Sequence, residues 1–110
     1  MIIGKKYKFD AAHFLPGHPK CGKLHGHTWK VEVELVGEMD SNGMVFDFGR
    51  LDKIMEEVLA DYDHTNLNDL ISNPTCEMIA CRIKSNLITI YDLPVNEVKV
   101  QEGEGGWAII

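Results

Sequence analysis

At 110 residues the chain has room for one modest core, and 45% hydrophobic with 25% charged residues is the balance of a soluble globular protein. No apolar run approaches the roughly 18–20 residues of a membrane helix, and the opening Met1-Ile2-Ile3 breaks at Gly4-Lys5-Lys6, too soon for a signal peptide. A formal net charge of -6 disfavours both nucleic-acid binding and a polybasic membrane anchor, which need a basic face. Three cysteines without framework spacing point to free thiols in a reducing compartment, by default the cytoplasm.

Six elements are expected in chain order. Tyr7, Phe9, Ala11 and His13 alternate with Lys6, Lys8, Asp10 and Ala12, which predicts a strand from about Ile3 to Phe14. A second strand runs from about His25 to Glu38, its odd positions reading His25, His27, Trp29, Val31, Val33, Leu35, and stops at the turn signal Asp40-Ser41-Asn42-Gly43. Phe48, Leu51, Ile54, Met55, Val58 and Leu59 recur at helical spacing behind a candidate N-cap, Asp47. A polar stretch, Asp61 to Asn73, leads to a second helix with Asn73 as N-cap and Pro74 in the first position, carrying Met78, Ile79, Arg82, Ile83 and Leu87 and ending before Pro94. Val95 to Gln101 alternates again, and Gly103-Glu104-Gly105-Gly106 turns into a last strand, Trp107 to Ile110. The order ββααββ, with a hairpin at each end, predicts an α+β domain over residues 1–110: a four-stranded antiparallel sheet with two helices on one face. Its two raw edges invite pairing between subunits.

Polar residues interrupt this pattern at particular places. His13 shares the parity of Phe9 and Ala11, and His25 and His27 that of Trp29 and Val31, so three imidazoles gather on the apolar face around the first connection. Alternate residues of a strand point the same way, so His-x-His can converge on one ion, and three histidines leave zinc a fourth, open position. A lone histidine there would be a satisfied core residue; Cys21, four residues before His25, could close the site as a structural fourth ligand. Asp63-His64 lies in the polar connection, either a solvated turn or an orienting acid–base pair. Glu102 ends the Val98, Val100 face, as an edge residue or a ligand anchor. Glu104 has the same parity. Cys76, Cys81, Trp29 and Trp107 have the character of ordinary helix and packing residues.

Five motifs occur in order: Phe9-x-Ala11-Ala12-His13, Cys21-x-x-x-His25-Gly26-His27, Asp63-His64-x-x-Leu67-Asn68, Asn73-Pro74-Thr75-x-Glu77 and Val98-x-Val100-x-Glu102. Together they resemble the 6-pyruvoyltetrahydropterin synthase and 6-carboxytetrahydropterin synthase family over nearly the whole chain. The three-residue gap between Cys21 and His-Gly-His is more like the 6-carboxy branch. The resemblance implies the tunnelling fold, in which subunits join sheets into a barrel of three and two trimers stack as a homohexamer. It implies a zinc ion (Zn2+) on His13, His25 and His27. Cys21 would be the catalytic base and Asp63 with His64 its partner pair, reaching over from a neighbouring subunit. Glu102 would anchor the pterin ring, with Thr75 and Glu77 lining its pocket; the resemblance assigns no triphosphate contacts, for which Lys20 and Lys23 are candidates because they flank Cys21. The implied reaction converts 7,8-dihydroneopterin triphosphate to 6-carboxy-5,6,7,8-tetrahydropterin, releasing acetaldehyde and triphosphate, on the route to 7-deazaguanine nucleosides. Pyruvoyl formation and an aldolase-like cleavage are sister activities of the scaffold; the non-enzymatic alternative is a zinc-binding oligomer without turnover, against which the intact Cys21, Asp63 and His64 set argues.

Overall fold

Strict alternation builds the first hairpin. In the computed structural model, which describes residues 1–110, β1 (Ile2–His13) and β2 (His25–Val36) pair antiparallel from Ile2 opposite Val36 to His13 opposite His25. Trp29, Val31, Val33 and Leu35 are fully buried, while the intervening residues face outward. Each strand has 12 residues, or about 40 Å of hairpin at 3.4 Å per residue. This gives the chain a long axis of 53 Å and a radius of gyration of 14.8 Å, against about 13 Å for a compact domain of this length.

Beyond a turn in which Asp40 Oδ1 accepts from the amides of Asn42 and Met44, α1 (Phe48–Ala60) starts at Asp47, whose carboxylate accepts from the Gly49 amide at 2.9 Å. It buries Leu51, Met55, Val58 and Leu59, leaving Phe48 exposed. α2 (Cys76–Thr89) begins two residues later than the Asn-Pro signal suggests. Thr75 is its N-cap, Oγ1 accepting from the Met78 amide at 3.2 Å. Pro74 stays outside the helix, where its carbonyl oxygen meets the His13 ring. Ile79, Ala80, Ile83 and Leu87 form the buried face; Met78 and Arg82, expected on it, are exposed.

The polar stretch between the helices is structured. A short 3-10 helix (Leu67–Asp69) is capped by Asn66, and Tyr62, Leu67 and Ile71 enter the core. The aperiodic spacing of these three residues gave no signal for it. The last strands, β3 (Val95–Glu102) and β4 (Trp107–Ile109), complete a sheet of order β1-β2-β3-β4. Val98 and Val100 face Val33 and Val31 across β2. Gly103, at φ 56°, makes the turn after β3, in a region that favours glycine. Both helices bury their apolar stripes against the Phe9, Trp29, Val31 and Val100 face, so the expected α+β architecture is the one observed. No helix is long and apolar enough to cross a membrane.

Residues 64–66 cover only one end of the outer edge of β1. The His64 amide donates to the Asp10 carbonyl and the Ala12 amide to that of Thr65, with a parallel bridge between Ala12 and Asn66. From Ile2 to Lys8 that edge has no strand beside it within the chain, and neither does the outer edge of β4.

Candidate functional site: a histidine cluster beside an open pocket

Strand register assembles the cluster. His13 faces His25 directly and Ala11 faces His27, while on the other side of β2 Glu102 pairs with Trp29. One ligand atom each from His13, His25, His27 and Glu102 falls within 4.8 Å of all the others. The rings meet edge to face, with centroids 4.6–5.2 Å apart, and His13 and His27 both pack edge-on against the Trp29 indole. Trp29 is in turn fixed by its Nε1–H, which donates to the Ala11 carbonyl at 3.2 Å.

Two backbone carbonyls decide the tautomers. His13 Nδ1 lies 2.8 Å from the Pro74 oxygen and His25 Nδ1 2.7 Å from that of Lys23. Only an N–H can face a carbonyl, so both rings turn Nε2 inward. Those two Nε2 atoms are 3.1 Å apart. Neutral rings held this way point lone pairs at each other, a repulsion that a shared cation converts to attraction. His27 Nε2 is buried and makes no hydrogen bond; Glu102 Oε1 is 3.2 Å away, off the direction a hydrogen bond needs. Burial holds the His27 pKa below the ordinary imidazole value, the neighbouring His13 and His25 add to this, and Glu102 opposes it. Four electron-pair donors with neutral rings are what a divalent cation requires. The fourth donor is the Glu102 carboxylate; Cys21, the other candidate, is not among these atoms.

Beside the cluster lies an open pocket of about 280 Å³ whose wall includes Thr75, Cys76, Glu77, Glu102 and Trp107. It therefore brings together the three residues that sequence reasoning grouped as a pterin pocket. Glu104 turns away after Gly103 and pairs with Lys30, so strand parity failed at that turn. Burial, then the charges of Glu102 and Glu77, push the Cys76 thiol up to about 11, and its Sγ approaches the Gly106 carbonyl at 3.8 Å. Cys81 is exposed, Trp29 is core, and Trp107 stands exposed at the pocket with the Lys99 ammonium 5.3 Å over its ring.

Cys21, a half-buried free thiol, sits in a hydrogen-bonded turn. Its carbonyl accepts from the Leu15 amide at 2.7 Å, and His18 Nδ1 accepts from the amides of Cys21 and Lys20 at 2.9 and 3.2 Å. His18 thus shapes this turn, a role the sequence pattern did not single out. Asp63 and His64 lie on the surface at the edge of β1, outside the four-residue cluster. Asp63 Oδ1 accepts from the Asp10 amide at 3.0 Å, and Oδ2 faces His64 Nδ1 at 2.8 Å. His64 adopts φ 57°, held there by its 2.6 Å amide bond to the Asp10 carbonyl. The hydrogen bond to Asp63 raises the His64 pKa; the Asp10 amide, then His64, lower that of Asp63.

Known proteins resemble this chain in sequence and in fold. Residues 2–110 match the family model described as 6-pyruvoyl tetrahydropterin synthase. An Archaeoglobus fulgidus protein provisionally named 6-carboxy-5,6,7,8-tetrahydropterin synthase is 53% identical over 110 residues, covering 100% of this chain and 95% of its own. The dihydroneopterin monophosphate aldolase of Pyrococcus furiosus is 43% identical over 83 residues, 72% of this chain and 71% of its own. In three dimensions the 6-pyruvoyl tetrahydropterin synthase of Caenorhabditis elegans superposes with a TM-score of 0.91 at 27% identity, over 100% of this chain and 94% of that one. A family match spanning almost every residue, a near full-length relative and the shared tunnelling fold lead to one conclusion: this chain belongs to the 6-pyruvoyl tetrahydropterin synthase family.

Proposed function

We propose that residues 1–110 form one tunnelling-fold domain that acts as a zinc-dependent lyase, converting 7,8-dihydroneopterin triphosphate and one water to 6-carboxy-5,6,7,8-tetrahydropterin with release of acetaldehyde and triphosphate. The product would feed 7-deazaguanine nucleoside synthesis, in the cytoplasm, where three free cysteines stay reduced. The observation that carries the reading is the inward convergence of the His13, His25 and His27 side chains beside the Thr75–Glu77–Glu102 pocket. The name of the 53% identical relative supports the carboxy-forming branch.

His13, His25 and His27 would hold the zinc, which supplies a Lewis acid able to acidify a hydroxyl and polarise a developing carbonyl. Glu102 accepts from the ring N–H and exocyclic amine of the pterin, a bidentate charge-assisted pair, and Thr75 and Glu77 close the pocket around it. Cys21, as thiolate, removes a carbon-bound proton; the hydrogen bond from Asp63 raises the His64 pKa, favouring the protonated ring that can give up and regain a proton. Lys20 and Lys23, on either side of Cys21, meet the triphosphate. Because Asp63 and His64 stand outside the cluster of their own chain, we assign them to a neighbour's site. The uncovered edges of β1 and β4 support that assembly, as does the cavity of about 620 Å³ along β1, lined by Lys5, Tyr7, Asp52 and Asp63 among others. A homohexamer of two stacked trimers would pair these edges.

A second reading, cleavage of a dihydroneopterin phosphate by aldolase chemistry, is favoured by the name of the Pyrococcus furiosus relative. Zinc-loaded protein incubated separately with 7,8-dihydroneopterin triphosphate and monophosphate, with products weighed by mass spectrometry, decides between them. The 6-carboxy product from the triphosphate is expected. A 6-hydroxymethyl product with glycolaldehyde phosphate from the monophosphate would replace this reading with the second.

A further inference from the structure

The sheet has a second face, and no helix of the chain covers it. Both helices lie on the side of Phe9, Trp29, Val31 and Val100, so alternation turns Lys6, Lys8, Lys30, Glu32, Lys99 and Gln101 to the other side. Register sets these residues in two cross-strand rows. Lys6, Glu32 and Lys99 form one; Lys8, Lys30 and Gln101 form the next, extended by Trp107 on β4. Glu32 serves both ends of its row, 3.8 Å from the Lys6 and from the Lys99 ammonium. In the other row two lysines stand directly opposite each other, and like charges so placed are destabilising. Lys30 reaches Glu104 in the turn after β3, while Lys8 has no ionic partner. One row beyond Glu32, Glu34 faces Glu97, so charge is sorted along this face rather than mixed. A hollow of about 540 Å³ lies over the lysines, lined by Lys6, Lys8, Lys30, Glu32, Gln101 and Glu104 among others.

We infer that this face binds a polyphosphate anion, an inorganic triphosphate or the tail of a nucleoside triphosphate, through Lys6, Lys8, Lys30 and Lys99. Four ammonium groups meet two carboxylates, Glu32 and Glu104, in a chain whose net charge is -6. Neighbouring strands are about 4.8 Å apart and successive rows about 6.8 Å. A small ion therefore touches one or two of the lysines, and only a chain of phosphates spans the set. An anion between Lys8 and Lys30 replaces their repulsion by two charge-assisted contacts. At the end of the row the exposed Trp107 indole, with Lys99 over it, offers a nucleoside base a ring to stack on. The site depends on neither the histidine cluster nor the reaction proposed there.

Isothermal titration of zinc-loaded protein tests this, with inorganic triphosphate added as its magnesium complex and zinc content checked afterwards. Saturable binding should survive Lys20→Ala with Lys23→Ala and weaken roughly tenfold or more in Lys8→Gln with Lys30→Gln. Because the two replaced side chains repel, the Lys8→Gln, Lys30→Gln protein should be at least as stable as wild type without anion. It should also lose most of the rise in Tm that triphosphate gives wild type. ATP is the second probe. Affinity no greater than for inorganic triphosphate assigns the site to phosphate alone, and tighter binding that Trp107→Leu abolishes assigns it to a nucleotide; either result supports the site. Triphosphate binding that is absent, unchanged by Lys8→Gln with Lys30→Gln, or abolished by Lys20→Ala with Lys23→Ala overturns the inference and leaves the proposed function standing.

Discussion

His27 and His64 carry the same ring into opposite situations. His27 is half-buried among two other imidazoles, and desolvation lowers its pKa; His64 is exposed beside a carboxylate, and the hydrogen bond to Asp63 raises its pKa. The first environment delivers a neutral nitrogen with a free electron pair, as a metal needs. The second favours the protonated ring, as a proton donor or a partner for an anion needs. What a histidine does is set less by its identity than by whether its neighbour is another acceptor or a charge. The backbone reinforces the division: strand register fixes the cluster, while a left-handed residue at an edge-covering loop fixes the pair.

The sharpest break between the two regions is metal content. His25→Ala combined with His27→Ala should lose bound zinc altogether, whereas Asp63→Asn and His64→Ala should retain about one zinc per chain; elemental analysis of purified proteins reads this directly. Zinc retained by the double variant would remove the cluster's assigned role. Next in size is turnover. Cys21→Ala and His64→Ala should each lose about 10²–10⁴-fold in rate, the range of a positioned acid–base group, with metal unchanged. Mixed after dissociation and reassembly, the two inactive proteins should recover activity, because intact Cys21 and His64 then meet across a subunit boundary. Reassembled oligomers that stay inactive would put the whole site within one chain.

A smaller effect probes how the cluster is held. Thr75 caps α2 next to the Pro74 carbonyl that orients His13, and Thr75→Ala should destabilise the fold by about 1 kcal/mol in denaturant titration. Loss of stability indistinguishable from zero would mean that the cap bond contributes nothing. The smallest effect belongs to the exposed pair. By NMR titration His64 should have a pKa above 6.5, returning toward 6.5 in Asp63→Asn. Its raised pKa adds stability that is fully present below 6.5 and fades as pH climbs through the folded value. The lowered Asp63 pKa adds stability that is present above 3.8 and fades as pH falls through its folded value. The pair's contribution is therefore complete between those two pH values and should shrink with added salt. A His64 pKa unmoved by Asp63→Asn would dissolve the pair.

Period-2 and period-3.6 patterns are local properties, since each depends on which way neighbouring side chains project. The sequence alone therefore determined the six elements, the Asp47 cap and the shared face of His13, His25 and His27. It misplaced the second helix start because Asn-Pro is a good local cap, and it could not know that the Pro74 carbonyl is taken by His13, 61 residues earlier. Tyr62, Leu67 and Ile71 escaped because an irregular segment has no period to follow, though it buries them as fully as a helix would. Only the pairing of β2 with both neighbours decided that Glu102 joins the histidines while Glu104, two residues on, turns to Lys30. Register sums contacts over whole strands and a positive-φ glycine redirects the chain in one step, so neither is readable from the few residues beside a site.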